Sequence, residues 1–111
     1  MSKTIILDRA YPFNIIYPIG VKESVTITYL DETTLTDTYQ IAIAEQDGTI
    51  FELINETDPQ FTKVDNKLIW DVNYEYGDIN IQTYNYELRN LTQDYRDLEG
   101  TFKVTKTLKN G

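Results

Sequence analysis

Residues 84–88 read Tyr-Asn-Tyr-Glu-Leu, and this short stretch decides the fold class. Large apolar side chains alternate with polar ones, so in an extended chain every second residue reaches the same face. A period of two predicts a β-strand with one face on a core and the other in water. Aromatic and β-branched residues, which favour strands, are frequent throughout the chain, whereas Ala occurs only three times.

The same alternation recurs in three other places. Apolar and polar residues alternate over residues 24–29, 39–44 and 101–105. Short strands that follow one another closely, without helical periods between them, are typical of a β-sandwich or barrel. We therefore expect an all-β fold with about seven to eight antiparallel strands. A chain of 111 residues has room for a single domain, 1–111.

Tight turns are predicted at two dipeptides that tolerate positive φ angles. Asp47-Gly48 joins residues 38–44 to 49–54, and Asp65-Asn66 joins residues 61–64 to 67–72. Both pairs of flanking segments are rich in strand-forming residues, so each dipeptide predicts a β-hairpin.

One segment also carries a helical signal. Leu91, Tyr95 and Leu98 are spaced as residues on one face of a helix, and Asn90 with Gln93 resembles a capping box. This helix would have only about two turns, a length that is marginal for a helix on its own. The sequence leaves both possibilities open at this point.

The strand interpretation of the same segment is a long hairpin. Residues 83–91 and 95–107 would be its two strands, and Thr92-Gln93-Asp94 its turn. Gly100 would then allow a bulge or bend in the second strand.

The composition excludes several kinds of chemistry. The chain has no His and no Cys, so it has no cysteine nucleophile, no disulfide and no ordinary zinc site. It also lacks the general acid or base that enzymes use most often. The net charge of −8 argues against nucleic-acid binding, which needs clustered Lys and Arg. We expect no catalytic residue, no cofactor and no bound metal.

The first residues carry no targeting signal. Met1-Ser2-Lys3-Thr4 is followed by an apolar run of three residues, Ile5-Ile6-Leu7. A signal peptide needs about 7–15 apolar residues and a membrane span about 20. We expect a soluble chain made in a bacterial cytoplasm without a signal peptide and without a membrane partner.

Carboxylates are the residues most open to a catalytic interpretation. Asp71, Glu75 and Asp78 lie close together in sequence around two tyrosines, and their residue types would allow a glycosidase-like acid pair. The spacing of a calcium-binding loop, however, is absent. A sandwich of this size also has little depth for a substrate cleft, so we do not expect an enzyme.

Tyrosines provide the first candidate interface. Trp70, Tyr84 and Tyr86 are expected in the core or at its rim, with hydroxyl groups that reach water. Tyr74 and Tyr76 are the candidates for a contact surface, because tyrosine is enriched in protein interfaces and also stacks on sugar rings. A host glycan is therefore a possible partner.

Lysines provide the second candidate interface. Residues 1–100 carry seven basic and 18 acidic side chains, a net charge of −11, whereas residues 101–111 carry Lys103, Lys106 and Lys109 without an acid. One interpretation is an edge strand that its lysines protect from aggregation. The other is a basic strand or tail that binds an acidic surface, for example on a second copy of the chain.

The second half of the chain resembles a protein family. The pattern consists of Leu68-Ile69-Trp70-Asp71, then Ile79, then Tyr84-Asn85-Tyr86-Glu87-Leu88, then Gly100-Thr101-Phe102-Lys103-Val104-Thr105. It is similar to a recurrent pattern in small structural proteins of tailed bacteriophages, with Thr83 where that pattern usually has Gly. The resemblance covers residues 68–105 and implies an immunoglobulin-like β-sandwich without catalytic residues.

Three functions follow from the resemblance and the composition. The first is a virion structural protein that forms homo-oligomers, dimers or trimers, and docks on the capsid as a head decoration or head fibre, or on the tail. The second is a carbohydrate-binding or adhesion module that uses an exposed Tyr cluster. The third is a bacterial interaction protein with the same fold.

Overall fold

The computed structural model describes residues 2–7 and 12–107, and these residues contain nine β-strands and no helix. The strands are β1 (Ser2–Leu7), β2 (Ile15–Pro18), β3 (Lys22–Tyr29), β4 (Tyr39–Ala44), β5 (Ile50–Asn55), β6 (Phe61–Val64), β7 (Lys67–Asn73), β8 (Thr83–Asn90) and β9 (Tyr95–Thr105). The all-β prediction is confirmed, although the described part of the chain has more strands than the seven or eight expected.

The strands form two sheets that pack face to face. The four-stranded sheet has the order β1-β3-β7-β6, and the five-stranded sheet has the order β2-β9-β8-β4-β5. Most neighbours are antiparallel, but β1 runs parallel to β3 and β2 runs parallel to β9. The prediction of purely antiparallel strands is therefore wrong for these two pairs. Two parallel neighbours need a long connection between them. Here the chain passes through the other sheet before it returns to pair: β2 lies in the five-stranded sheet between β1 and β3, and β3 lies in the four-stranded sheet between β2 and β9.

Aromatic rings join the two sheets at the centre of the core. Trp70 on β7 is buried, and its ring centroid lies 6.3 Å from that of Tyr86 and 5.5 Å from that of Phe102 in the opposite sheet. Phe102 also stacks on Tyr17 of β2 at 5.7 Å. Each such ring buries roughly 150–250 Å², so this group of four rings contributes much of the hydrophobic stabilisation.

The predicted turns are confirmed. Gly48 has a φ of 95° and Asp65 a φ of 54°, as tight hairpin turns require. The long hairpin of β8 and β9 is also present, and Asp94 in its turn has a φ of 59°. The helical alternative for this segment is therefore wrong.

Gly100 has a different role from the bulge that was expected there. The irregularity in the β8–β9 ladder lies between Leu88 and Arg89. Gly100 instead lies under the chain that leads into β2, because a Cβ atom added at this residue would be 2.0 Å from the carbonyl oxygen of Phe13. The same oxygen accepts a hydrogen bond of 2.7 Å from the Tyr86 hydroxyl. Because Gly100 has no side chain, the backbone of Phe13 can approach β9 at this residue.

An ion pair between a partly exposed lysine and a buried carboxylate links β1 to β3. Glu23 shares the inner face of β3 with Val25 and Ile27, and its side chain is 1% exposed. Lys3 Nζ lies 3.7 Å from Glu23 Oε1, while neither carboxylate oxygen has a hydrogen-bond partner in the described residues. A buried carboxylate is costly without a compensating charge, so Lys3 is the group that makes Glu23 tolerable at this position.

We expect Gly100→Ala to destabilise the fold by about 3 kcal/mol, because the new methyl group would collide with backbone rather than with a side chain that can move. Gly48→Ala is the control. No atom lies within 4 Å of its added Cβ, and only the positive φ opposes the substitution, at a cost of about 1 kcal/mol. Urea unfolding measures both free energies, and equal losses would contradict the close approach of Phe13.

We expect Lys3→Met to cost about 3 kcal/mol, because it leaves the Glu23 carboxylate buried without a counter-charge. The double variant Lys3→Met with Glu23→Leu should recover most of this loss, since it removes the buried charge as well. Urea unfolding of the two single variants and the double variant checks this expectation. A double variant as unstable as Lys3→Met alone would show that the carboxylate is not the cause.

Candidate functional site

The expected core position of three aromatic residues is confirmed. Trp70, Tyr84 and Tyr86 are between 1% and 4% exposed. The hydroxyl groups of the two tyrosines do not point to water as expected. Tyr86 donates to a backbone carbonyl, and the Tyr84 hydroxyl accepts a hydrogen bond of 3.2 Å from the backbone N–H of Asn80. These residues stabilise the fold, and none of them is exposed enough to form a contact surface by itself.

The two candidate tyrosines lie in different surroundings. Tyr74 is half-buried, and its hydroxyl group donates a hydrogen bond to the carboxylate of Glu52. Burial, followed by this carboxylate, raises the pKa of Tyr74 above its usual range. Tyr76 is 58% exposed in the loop between β7 and β8. The pair therefore does not form a single exposed Tyr cluster.

A groove opens along one side of the sandwich, between β5 and β7. We call it the side groove, and its volume is about 530 Å³. It is lined by Phe51, Glu52, Gln60, Trp70, Asp71, Asn73, Tyr74 and Asp78. Three of these side chains are carboxylates and none is basic, so the side groove is acidic around an aromatic floor.

Both walls of the side groove are strand edges. β5 is the outermost strand of its sheet. On the other wall, β6 begins at Phe61 opposite Trp70. In the described residues, the last part of β7, residues 71–73, therefore pairs with β3 on one side and has no neighbouring strand on the other. A single hydrogen bond of 2.8 Å, from the Asp71 N–H to the Gln60 carbonyl, continues the ladder there. Sequence reasoning missed this groove because it arises from the shortness of β6.

The three candidate lysines are placed as follows. Lys103 is exposed on β9, which lies between β2 and β8. The prediction of an edge strand protected by lysines is therefore wrong, because β2 covers that edge. Lys106 is exposed just after β9, and the hydroxyl of Thr107 donates to the carbonyl of Ile19 beside β2. Lys109 lies outside the described residues.

The outer face of the five-stranded sheet contains a second, shallow groove of about 590 Å³, which we call the face groove. Its lining includes the short side chains of Ala42 and Ala44 on β4. The charged residues beside them pair within the face: Arg89 lies 2.7 Å from Glu87 and Arg96 lies 2.9 Å from Glu99. These exposed pairs contribute little to stability, but they leave a face whose charges are nearly balanced.

A hydrogen bond joins the sheets at the end of the sandwich opposite Lys106. The Tyr29 hydroxyl donates to Asp97 Oδ2 at 2.6 Å. Burial raises the pKa of Asp97, the nearby Asp37 adds to this effect, and the hydrogen bond from Tyr29 opposes it. Asp97 thus combines a stabilising hydrogen bond with the cost of burying a negative charge.

In the described residues, no group of three or more acidic, His or Cys side chains is arranged to hold a metal ion. No helix in this part of the chain is long and apolar enough to cross a membrane. A comparison with protein-family profiles gives no match, and a comparison with curated proteins gives none either.

We expect Asp97→Asn to gain stability relative to the natural chain as the pH rises from about 3.5 to 7. The raised pKa means that the folded protein binds the Asp97 proton more tightly than the unfolded chain does. The carboxyl group therefore favours folding below its unfolded pKa, and this contribution is lost as the pH rises through the folded pKa. Asn keeps an oxygen for Tyr29 and does not titrate.

Asp47→Asn is the matched control for this comparison, because its effect on stability should change with pH in the opposite direction. Hydrogen bonds from Thr49 lower the pKa of Asp47, so its contribution is present above the unfolded pKa and is lost as the pH falls. Urea unfolding at both pH values measures each difference. A stability difference for Asp97→Asn that does not change with pH would show that the carboxyl group is not destabilised by burial.

Proposed function

We propose that this chain is a non-enzymatic structural protein of a tailed-bacteriophage virion, which self-assembles and docks on the capsid or tail. The observation that carries this proposal is the face groove, a broad surface with a floor of small side chains and charges that are paired in place. An interface needs such a surface, because burying unpaired charges against a partner is costly. Pre-paired Arg and Glu side chains avoid much of that cost.

The order of the strands supports an immunoglobulin-like sandwich, which the resemblance to phage structural proteins implies. In such domains the first, second, fifth and fourth strands form one sheet. If β2 is counted as a continuation of the first strand into the other sheet, the order β1-β3-β7-β6 corresponds to that sheet. The remaining order β9-β8-β4-β5 corresponds to the other. The parallel pairing of β1 with β3 is the departure from this scheme.

The distribution of charge also supports assembly. The chain carries a net charge of −8, which opposes association between copies or with other acidic proteins. The described side chains of the face groove include two arginines and two glutamates and thus form a nearly neutral area. A partner can approach this face with less repulsion than elsewhere.

The proposal is tested in the virion itself. Particles purified from the phage that encodes the chain should contain it in many copies, at a fixed ratio to the major capsid protein. Quantitative mass spectrometry measures the ratio, and immunogold labelling places the chain on the head or tail. A chain that remains in the lysate when particles are purified would contradict the proposal.

We expect Ala44→Arg to reduce the number of copies in the particle at least tenfold, because the long side chain fills the face groove. The variant is supplied in place of the natural chain during phage growth. Thr26→Arg is the matched control, since it places the same side chain in the middle of β3 on the opposite sheet. Normal incorporation of Ala44→Arg would exclude the face groove as the docking surface.

A further inference from the structure

We propose that the side groove binds the basic segment, residues 106–111, of a second copy of this chain. The inference rests on the proposed function, because it names the contact through which copies assemble. The occupant is an extended segment, and the walls and lining of the side groove provide what such a segment needs.

The walls provide unpaired backbone. β5 is an outer strand, and β7 continues beyond the start of β6, so residues 71–73 have an edge without a neighbouring strand in the described residues. In an antiparallel ladder, alternate residues direct both backbone groups to the same side. Because the Asp71 N–H already points to Gln60, Asn73 directs its N–H and carbonyl to that side as well. An added strand can pair there, as peptides do when they extend a sheet.

The lining provides charge complementarity. Glu52, Asp71 and Asp78 give the side groove three carboxylates and no basic side chain. The basic segment has the sequence Lys-Thr-Leu-Lys-Asn-Gly, with Lys106 and Lys109 and no acid. Opposite charges favour this contact, whereas the net charge of −11 on residues 1–100 opposes association of two copies elsewhere.

The alternation of side chains also fits. Trp70 is buried towards the core and Asp71 is exposed on the outer face of its sheet, because neighbouring residues of a strand point to opposite faces. A strand added beside β7 alternates in the same way. If Leu108 of the added strand contacts the exposed part of the Phe51 ring, then Lys109, the next residue, faces the outer side of the sheet, where Asp71 lies.

In its own chain, the first two residues of the segment lie outside the side groove. Lys106 is exposed just after β9, Thr107 is bonded to Ile19 beside β2, and neither residue lines the groove. We therefore assign the occupant to a second copy, and the contact is heterologous, with the segment of one copy in the groove of the next.

Charge exchange between two variants tests the inference. The segment variant is Lys106→Glu with Lys109→Glu, and the groove variant is Asp71→Lys, which changes an exposed side chain. Each variant alone should self-associate at least tenfold more weakly than the natural chain, as measured by sedimentation velocity over a concentration series. An equimolar mixture should recover the association, because the basic segment of the groove variant then meets the unchanged acidic groove of the segment variant.

Two controls each reverse a single charge elsewhere on the surface. Lys67→Glu and Asp31→Lys alter exposed residues on β7 and in the loop after β3, away from the side groove, and should self-associate like the natural chain. Circular dichroism checks that each variant is folded. Association of the natural chain should weaken between 50 and 500 mM NaCl, as expected for contacts between exposed charges, roughly in line with the shorter Debye length.

The outcomes separate the inference from the proposed function. Recovery in the mixture, with weak association of each variant alone, supports the side groove. A natural chain that self-associates while the two variants associate equally well, or do not recover when mixed, would overturn the inference and leave the structural function intact. A natural chain that stays monomeric at every concentration would overturn self-assembly, and the inference with it.

Discussion

The close approach of the Phe13 backbone to Gly100 is the constraint on which the five-stranded sheet depends. It brings the chain before β2 against β9, where the Phe13 N–H donates to the carbonyl of Glu99 at 2.9 Å. β2 then continues beside β9 as a parallel edge strand. As a consequence β9 becomes an inner strand, and β5 at the far side remains the open edge. One residue without a side chain thus lets β2 cover this edge of β9.

The aromatic residues divide into those that hold the sheets together and those that shape the surface. Trp70, Tyr86 and Phe102 form continuous ring contacts across the core. Tyr74 and Phe51 extend this group outwards, with ring centroids 6.1 Å apart, to the floor of the side groove. The side groove is therefore continuous with the aromatic core, while Gln60, Tyr74 and Asp78 in its lining belong to the connecting loops.

Much of the fold could be predicted from the sequence, because the alternation of apolar residues reports directly which strand positions face the core. The turns were also predictable, since Gly48 and Asp65 adopt the positive φ angles that few residues tolerate. Alternation carries no information about strand direction, however, and this is why the two parallel pairs were missed. Tyr74 and Tyr76 have similar neighbours in sequence, so only the structure distinguishes the half-buried ring from the exposed one.

The side groove could not be predicted, because its existence depends on where a strand is missing. Sequence patterns indicate the strands that form, whereas this site arises because β7 extends three residues beyond its last pair with β6. The uneven charge of the chain was visible from the beginning, yet its meaning changes with this geometry. Lys103 does not protect an edge strand, because β2 covers β9. Binding to an acidic surface is the remaining interpretation of the basic residues. In the assembly that we propose, the basic segment of one copy in the acidic side groove of the next gives a local reversal of charge, and the repulsion between the other surfaces is kept.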